Sequence, residues 1–306
     1  MYIYGRMSKI LYNGKWDGIW DKPKYEEMRR QIKERFDGLT FIEEGHKYFL
    51  NGKQLMCVSD VAHLFQEHFD SHQKAIETYQ RNFDNENSKY YRMTPEEIER
   101  SWKSISKEAC ETGTERHLWG ESALYYMTKQ YDKIPEQFKD RLTEDGGFEA
   151  IYPKEIAMAK FWDEVPQCYV PIAAENITYH SELNYSGTFD LLFYYEATLD
   201  GKTEDKSGFI IFDYKTNKDL YKNFKDKRLL PPFQDVQDSP VHIYELQLSL
   251  YDLNLKQLNF KVLRHILIWV RDNGEYEKVK LTDYSKKLFE YLKKNINLLT
   301  EAKNHD

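Results

Sequence analysis

Two apolar segments, YSGTFDLLFYYE and GFIIFDYKTNKD, constrain this chain more than anything else in it. Each is too rich in Phe, Ile, Leu and Tyr to be left in water, and each carries charge at one point: Asp190 at the inner edge of the first, Asp213-Tyr214-Lys215 at the end of the second. Short apolar runs bounded by polar turns read as buried strands. The stretch between them, DGKTEDKSG, is a turn, and its own Glu204-Asp205-Lys206 triplet is a solvated decoy. A strand as dry as residues 208–212 does not end in two charges without a partner for them. Two carboxylates and a lysine at one end of a hairpin are equipped to hold a hard divalent cation, with positions left open for water and phosphate.

With 306 residues, 41% hydrophobic and 15% aromatic, the chain can bury a core as one large domain or two small ones. Its formal net charge of −7 excludes polyanion binding over the whole surface, so any nucleic-acid contact must be local. One local basic run exists: Lys215, Lys218, Lys222, Lys225, Lys227 and Arg228 against Asp219 and Asp226. A solvated loop face explains such a run equally well. Cys57, Cys110 and Cys168 are odd in number and far apart, which indicates neither a disulfide framework nor a zinc or iron-sulfur cluster and fits a reducing, intracellular setting. The start, MYIYGRMSKILYNG, lacks a signal-peptide pattern, and no apolar run reaches bilayer length, so neither secretion nor membrane insertion is expected.

Residues 1–90 read as a lead-in whose hairpin and helix pack on a core formed by residues 91–306. A helix is expected from Tyr25 to Phe36, ended by Asp37-Gly38. HKYFLNGKQLM then alternates around Asn51-Gly52, a strong hairpin signal. Ser59 is the expected cap of a helix beginning DVAHLF. His63, His68 and His72 make a rival metal cluster, since His68 and His72 are four apart and can share a helix face. The HExxH order is missing, however, and Glu67 and Asp70 read as the polar face of an ordinary helix.

At Thr94-Pro95-Glu96-Glu97 a threonine cap, a first-turn proline and a glutamate three after the cap coincide. On the helix that follows, Trp102, Ile105, Ala109, Gly113, His117 and Leu124 fall at helical spacing and predict one buried stripe. His117 then points inward, as a core histidine or as a ligand. Gly113 and Gly120 bracket it, and both would let the helix approach a sheet closely.

The segments CYVPIAAENITYH, GTFDLLFYYE and GFIIFDYK, joined by short polar turns, read as an antiparallel meander. Glu175 is placed at the end of the first strand, as a further oxygen ligand or an exposed edge carboxylate. LLPPFQDVQDSP reads as a mobile loop or a flap against a strand. In HIYELQLSLYDLNLKQL, Ile243, Leu246, Leu250 and Leu253 form an apolar face, with Gln247 and Tyr251 sharing a neighbouring one. RHILIWV and EYEKVKL flank a second hairpin turn at Arg271-Asp272-Asn273-Gly274, and a helix from about Tyr284 to Ala302 closes the chain.

In this order, with these residues at the element ends, the chain resembles the PD-(D/E)XK nuclease superfamily in its RecB-like branch, over roughly residues 105 to 270. The matching segments are TGTERH, GTFD, IFDYKTNK and ELQLSLY. The resemblance implies an α+β fold of α/β/α-like layering: a central mixed sheet with a three-strand antiparallel meander, flanked by helices, as in restriction-endonuclease-like cores. It also implies a phosphodiester hydrolase acting on DNA, an exonuclease or a recombination and repair nuclease, in the cytoplasm of a bacterium or an infected bacterial host. His117, Asp190, Asp213 and the main-chain carbonyl of Tyr214 would bind Mg²⁺ or Mn²⁺, and Glu175 fits the auxiliary acidic position. Lys215 would be the catalytic lysine, with Gln247 and Tyr251 lining the site. A lysine desolvated among apolar strands can act as a base; orientation and electrostatics are its other roles. Partners would be DNA and recombination or replication proteins. The iron-sulfur members' late cysteine cluster is missing, and no GxxxxGK[ST] motor loop occurs. The alternative reading is a nuclease fold kept as a DNA-binding or complex-forming module with negligible turnover.

Overall fold

Turn chemistry and apolar alternation set an element order that the computed structural model describes for residues 8–301. The chain divides into two compact units, one running to Gln66 and resuming at Trp119, the other Glu67–Leu118. The expected division at residue 90 falls inside the smaller unit. In chain order the elements begin with β1 (Lys9–Leu11), α1 (Pro23–Arg35), β2 (Leu39–Ile42), β3 (Lys47–Leu50), β4 (Lys53–Cys57) and α2 (Val58–His63). Next come α3 (Ser71–Asn82), α4 (Pro95–Met127), β5 (Phe148–Ala150), α5 (Pro153–Glu164), β6 (Tyr169–His180), β7 (Tyr185–Tyr195) and β8 (Gly208–Lys215). The last are α6 (Pro240–Lys256), β9 (Val262–Val270), β10 (Tyr276–Lys280), α7 (Ser285–Lys294) and α8 (Leu298–Glu301).

The larger unit is built on an open, mixed, eight-stranded sheet in the order β10-β9-β8-β7-β4-β3-β2, with β6 also paired to β7. The β6-β7-β8 meander is antiparallel, as its short turns require, while β4–β7 and β8–β9 are parallel. Helix α6 is the crossover that a parallel β8–β9 pair needs. Side chains alternate across β8. Phe161 of α5 packs against Phe212 and Tyr214 on one face, whereas Lys215 lies under the Tyr244 ring of α6 on the other. The sheet is therefore flanked by α5 and α6.

The two edges of β7 are used differently. β6 follows one edge from Tyr185 to Tyr195. The other edge is shared: β4 pairs only at Tyr185 and Ser186, and β8 only from Leu191 to Tyr195. Residues 187–190 are in ladder register with neither. At the start of this gap Gly187 leaves room for its neighbours, since a Cβ there would lie 2.8 Å from Val58 Cγ2 and 3.0 Å from Tyr251 Cε1.

The hairpin at Asn51-Gly52 forms with both residues at positive φ, 52° and 78°. The helix expected to start at Ser59 begins at Val58 instead, with Cys57 Sγ accepting from the Asp60 amide at 3.4 Å. Glu175 is not at a strand end but in the middle of β6, at a φ of 44°. The proline loop is held rather than mobile, because Leu229, Phe233 and Val236 are buried and the Leu230 amide donates to the Phe65 carbonyl at 2.7 Å. The closing helix is broken after Lys294, and Ala302 lies outside the described residues.

In the smaller unit Asp70 caps α3 through the Gln73 amide at 2.9 Å. The capping box forms as expected: the Glu97 amide donates to Thr94 Oγ1 and the Thr94 amide to Glu97 Oε2. The single buried stripe on α4 does not form. Ile105 is exposed, Gly113 has open space where a Cβ would stand, and the side chain of Ala109 lies outside the described residues. Of the two glycines, only Gly120 marks a close approach: its Cβ would fall 2.7 Å from Tyr214 Cε2.

Candidate active site

Continuing the β6–β7 register through Ala174↔Leu191 and Asn176↔Phe189 sets Glu175 opposite Asp190. Continuing β7–β8 one step past Leu191↔Phe212 sets Asp190 opposite Asp213. Directly opposed residues share a sheet face, so three strands offer a row of three carboxylates. Carboxylate oxygens of Glu175 and Asp190 lie within 4.8 Å of each other. Asp213 is 1% exposed and Asp190 8%, and Lys215 Nζ reaches Asp213 Oδ2 at 2.5 Å. The row lies where β7 and β8 part, and there the Tyr214 amide donates to Asp190 Oδ2 at 2.7 Å.

Crowding carboxylates in a dry place has an electrostatic cost, and it falls on Glu175. Burial and the neighbouring charges of Asp190, Glu121 and Asp213 push its carboxyl well above the usual range. The positive φ of Glu175 adds backbone strain, and non-glycine residues held this way cluster at functional sites. Lys215 goes against the depressed pKa that a general base would need. Burial disfavours its charge, but Asp213 and Asp190 outweigh that and raise its pKa, so it is a fixed cation.

Gln247 Nε2 donates to the Tyr251 hydroxyl at 3.4 Å, and Tyr251 lies near enough to Asp213 and Asp190 for both to raise its pKa, after burial, which is the main cause. The side chain of Tyr214 is buried on the opposite face against Phe161, while its main-chain amide bonds Asp190. His117 is half-buried on α4 and belongs to the smaller unit, one residue before that unit ends.

Two participants are not apparent from the motifs. Glu121 follows His117 by one helical turn; burial raises its carboxyl, with Asp190 adding to the shift, and it accepts from the Tyr125 hydroxyl at 2.6 Å. Its signal was the four-residue spacing in HLWGE. Tyr244, whose ring lies 4.6 Å from Lys215 Nζ, precedes Gln247 and Tyr251 by three and seven residues on one face of α6.

The helix face expected to carry His68 and His72 together does not form. His63, His68 and His72 are all exposed, and His68 precedes α3 while His72 lies within it. Asp252, His265 and Asp283 are close enough to ligate an ion. An ammonium is already there: Lys256 Nζ lies 3.0 Å from Asp252 Oδ2, and His265 Nε2 lies 3.3 Å from the same oxygen. That group is an ion-pair network tying α6 to β9.

The donors at the Glu175–Asp190–Asp213 row are hard oxygens, and burial together with the neighbouring acids raises the Glu175 carboxyl. Both properties suit a divalent, oxygen-seeking ion. No helix among the described residues is long and apolar enough to cross a membrane. No protein-family model matches the chain, and no curated protein matches it significantly.

Proposed function

We propose that the protein is a metal-dependent DNA nuclease, an exonuclease or a recombination and repair nuclease. One observation carries this reading: Glu175, Asp190 and Asp213, on β6, β7 and β8, lie close enough for the two aspartates to act on the glutamate, with the Lys215 ammonium 2.5 Å from Asp213. Asp190, Asp213 and Glu175 would hold Mg²⁺ or Mn²⁺, together with the Tyr214 carbonyl. When bound, such an ion lowers the pKa of a coordinated water and neutralises charge on a phosphate. Lys215, kept protonated by its neighbours, holds a positive charge where the scissile phosphate would lie. Asp213 orients that ammonium. Gln247 and Tyr251, joined by their hydrogen bond, wall the site on the α6 side and position substrate.

The test is cleavage of end-labelled linear and closed circular DNA with Mg²⁺ or Mn²⁺. The expected result is cutting that requires metal and vanishes in Asp213→Asn and Lys215→Ala. Cleavage that persists in both variants, or none of either substrate by the native chain, would overturn the reading. Metal uptake dependent on Asp190 but without cutting would favour the DNA-binding module instead.

A further inference from the structure

Beyond Lys215 the chain presents a surface that the carboxylate row does not use. Tyr221 is 53% exposed and Phe224 60%, and both stand among the exposed Lys218, Lys222 and Lys225. In a chain of net charge −7, residues 215–228 hold six lysines and arginines against two aspartates. The rings are not bare because the segment is slack. Leu220 and Leu229 on either side of them are buried, the Val241 amide donates to the Leu220 carbonyl at 2.9 Å, and the Leu229 amide to the Val236 carbonyl at 3.0 Å. An anchored backbone thus holds two aromatic faces in water. Of the acids nearby, Asp219 is used locally, accepting from the Tyr221 amide at 2.9 Å; Asp226 remains exposed.

This surface is continuous with the proposed site. Lys215 pairs in register with Trp269 of β9. The Trp269 indole donates to the Asn217 carbonyl at 2.7 Å, the Tyr221 ring meets it edge-on at 6.1 Å, and the Arg271 guanidinium lies 4.1 Å from its ring centre. Cations alternating with ring faces match a ligand that alternates phosphates with unstacked bases. A duplex offers the phosphates but keeps its base faces stacked.

We infer that Tyr221, Phe224 and the lysines between them form a guide for a single strand of DNA running to or from the catalytic row. Where the strand leads rests on the nuclease reading; that it binds does not. Fluorescence anisotropy in EDTA, so that nothing is cut, tests the guide with a labelled single-stranded oligonucleotide and a blunt duplex of the same sequence. Tyr221→Ala with Phe224→Ala is expected to weaken single-strand binding by roughly tenfold or more and to spare the duplex. Lys222→Gln with Lys225→Gln is expected to flatten the salt dependence of single-strand binding by about 0.7 in slope per lysine. Unchanged thermal melting of the variants shows that the fold is intact. Equal affinity of native and aromatic variant for the single strand, or equal losses on both DNAs, would overturn the guide. If the native chain binds through these rings yet never cuts with Mg²⁺ or Mn²⁺, the nuclease reading alone falls. If it cuts while the rings prove irrelevant to binding, the guide alone falls.

Discussion

The main-chain amide of Tyr214 donates to Asp190 Oδ2 at 2.7 Å, so a side chain on β7 closes the ladder that β8 leaves unfinished. A charge-assisted bond of this kind fixes Asp190 against the strand that carries Asp213 and Lys215. Asp190→Asn keeps an acceptor for the amide and is expected to fold with a loss below about 1 kcal/mol. Asp190→Ala strands a buried donor and is expected to cost about 1–3 kcal/mol. Urea denaturation of the two variants distinguishes these outcomes, and both should lose metal-dependent cutting.

Glu175 makes the metal-free protein sensitive to pH. Its folded-state pKa is raised above the ordinary 4.5, so between that value and the raised one the native state holds more protons than the unfolded chain. Stability from this group therefore falls as pH rises through that window. Glu175→Gln is expected to raise the melting temperature of the metal-free protein at neutral pH and to flatten its pH slope. In the native chain, Mn²⁺ affinity should strengthen with pH across the same window. Thermal melts and calorimetry at acidic and mildly alkaline pH provide the check.

Lys215 behaves oppositely. Its raised pKa means that the stability of its pair with Asp213 is complete below the ordinary lysine value of 10.5 and is lost only above it. The pH–rate profile should accordingly show no limb near neutrality from this lysine. Lys215→Met would leave Asp213 in a dry position without its cation. The expected loss is about 3–5 kcal/mol, partly recovered on adding Mn²⁺. A urea midpoint that does not move would contradict this.

The two glycines of α4 should respond in opposite directions. Gly120→Ala sets a methyl 2.7 Å from the buried Tyr214 ring and is expected to cost about 1–3 kcal/mol and to reduce cutting by shifting the strand between Asp213 and Lys215. Gly113→Ala meets nothing and is expected to stabilise by up to about 1 kcal/mol. Paired thermal melts measure both.

Asp252→Asn probes the other carboxylate–histidine group. Because Lys256 already supplies its cation, this variant should lose stability while its Mg²⁺ dependence stays that of the native chain. A shifted metal requirement would mean that the network does hold an ion.

Much of this arrangement was legible in the chain. Short apolar runs and polar turns marked the meander, and alternation around Asn51-Gly52 marked the β3–β4 hairpin, whose turn takes two positive φ values. Asp190, Asp213 and Lys215 stood out as charges ending dry strands. Glu175 was misplaced because its strand runs on past it, and a positive φ at a glutamate has no sequence signature. Glu121 was missed because a carboxylate on a helix ordinarily faces water. The exposure of Ile105 shows why helical spacing alone could not identify the covered face of α4.

The gap beside the carboxylates is left by where two other strands stop. β4 contributes only Met56 and Cys57 to its ladder with β7 before the backbone coils into α2 at Val58. An insertion of two extended residues ahead of that turn would let β4 advance along 187–190 and close the gap into plain sheet, leaving every acidic side chain in place but with a strand drawn up beside Asp190.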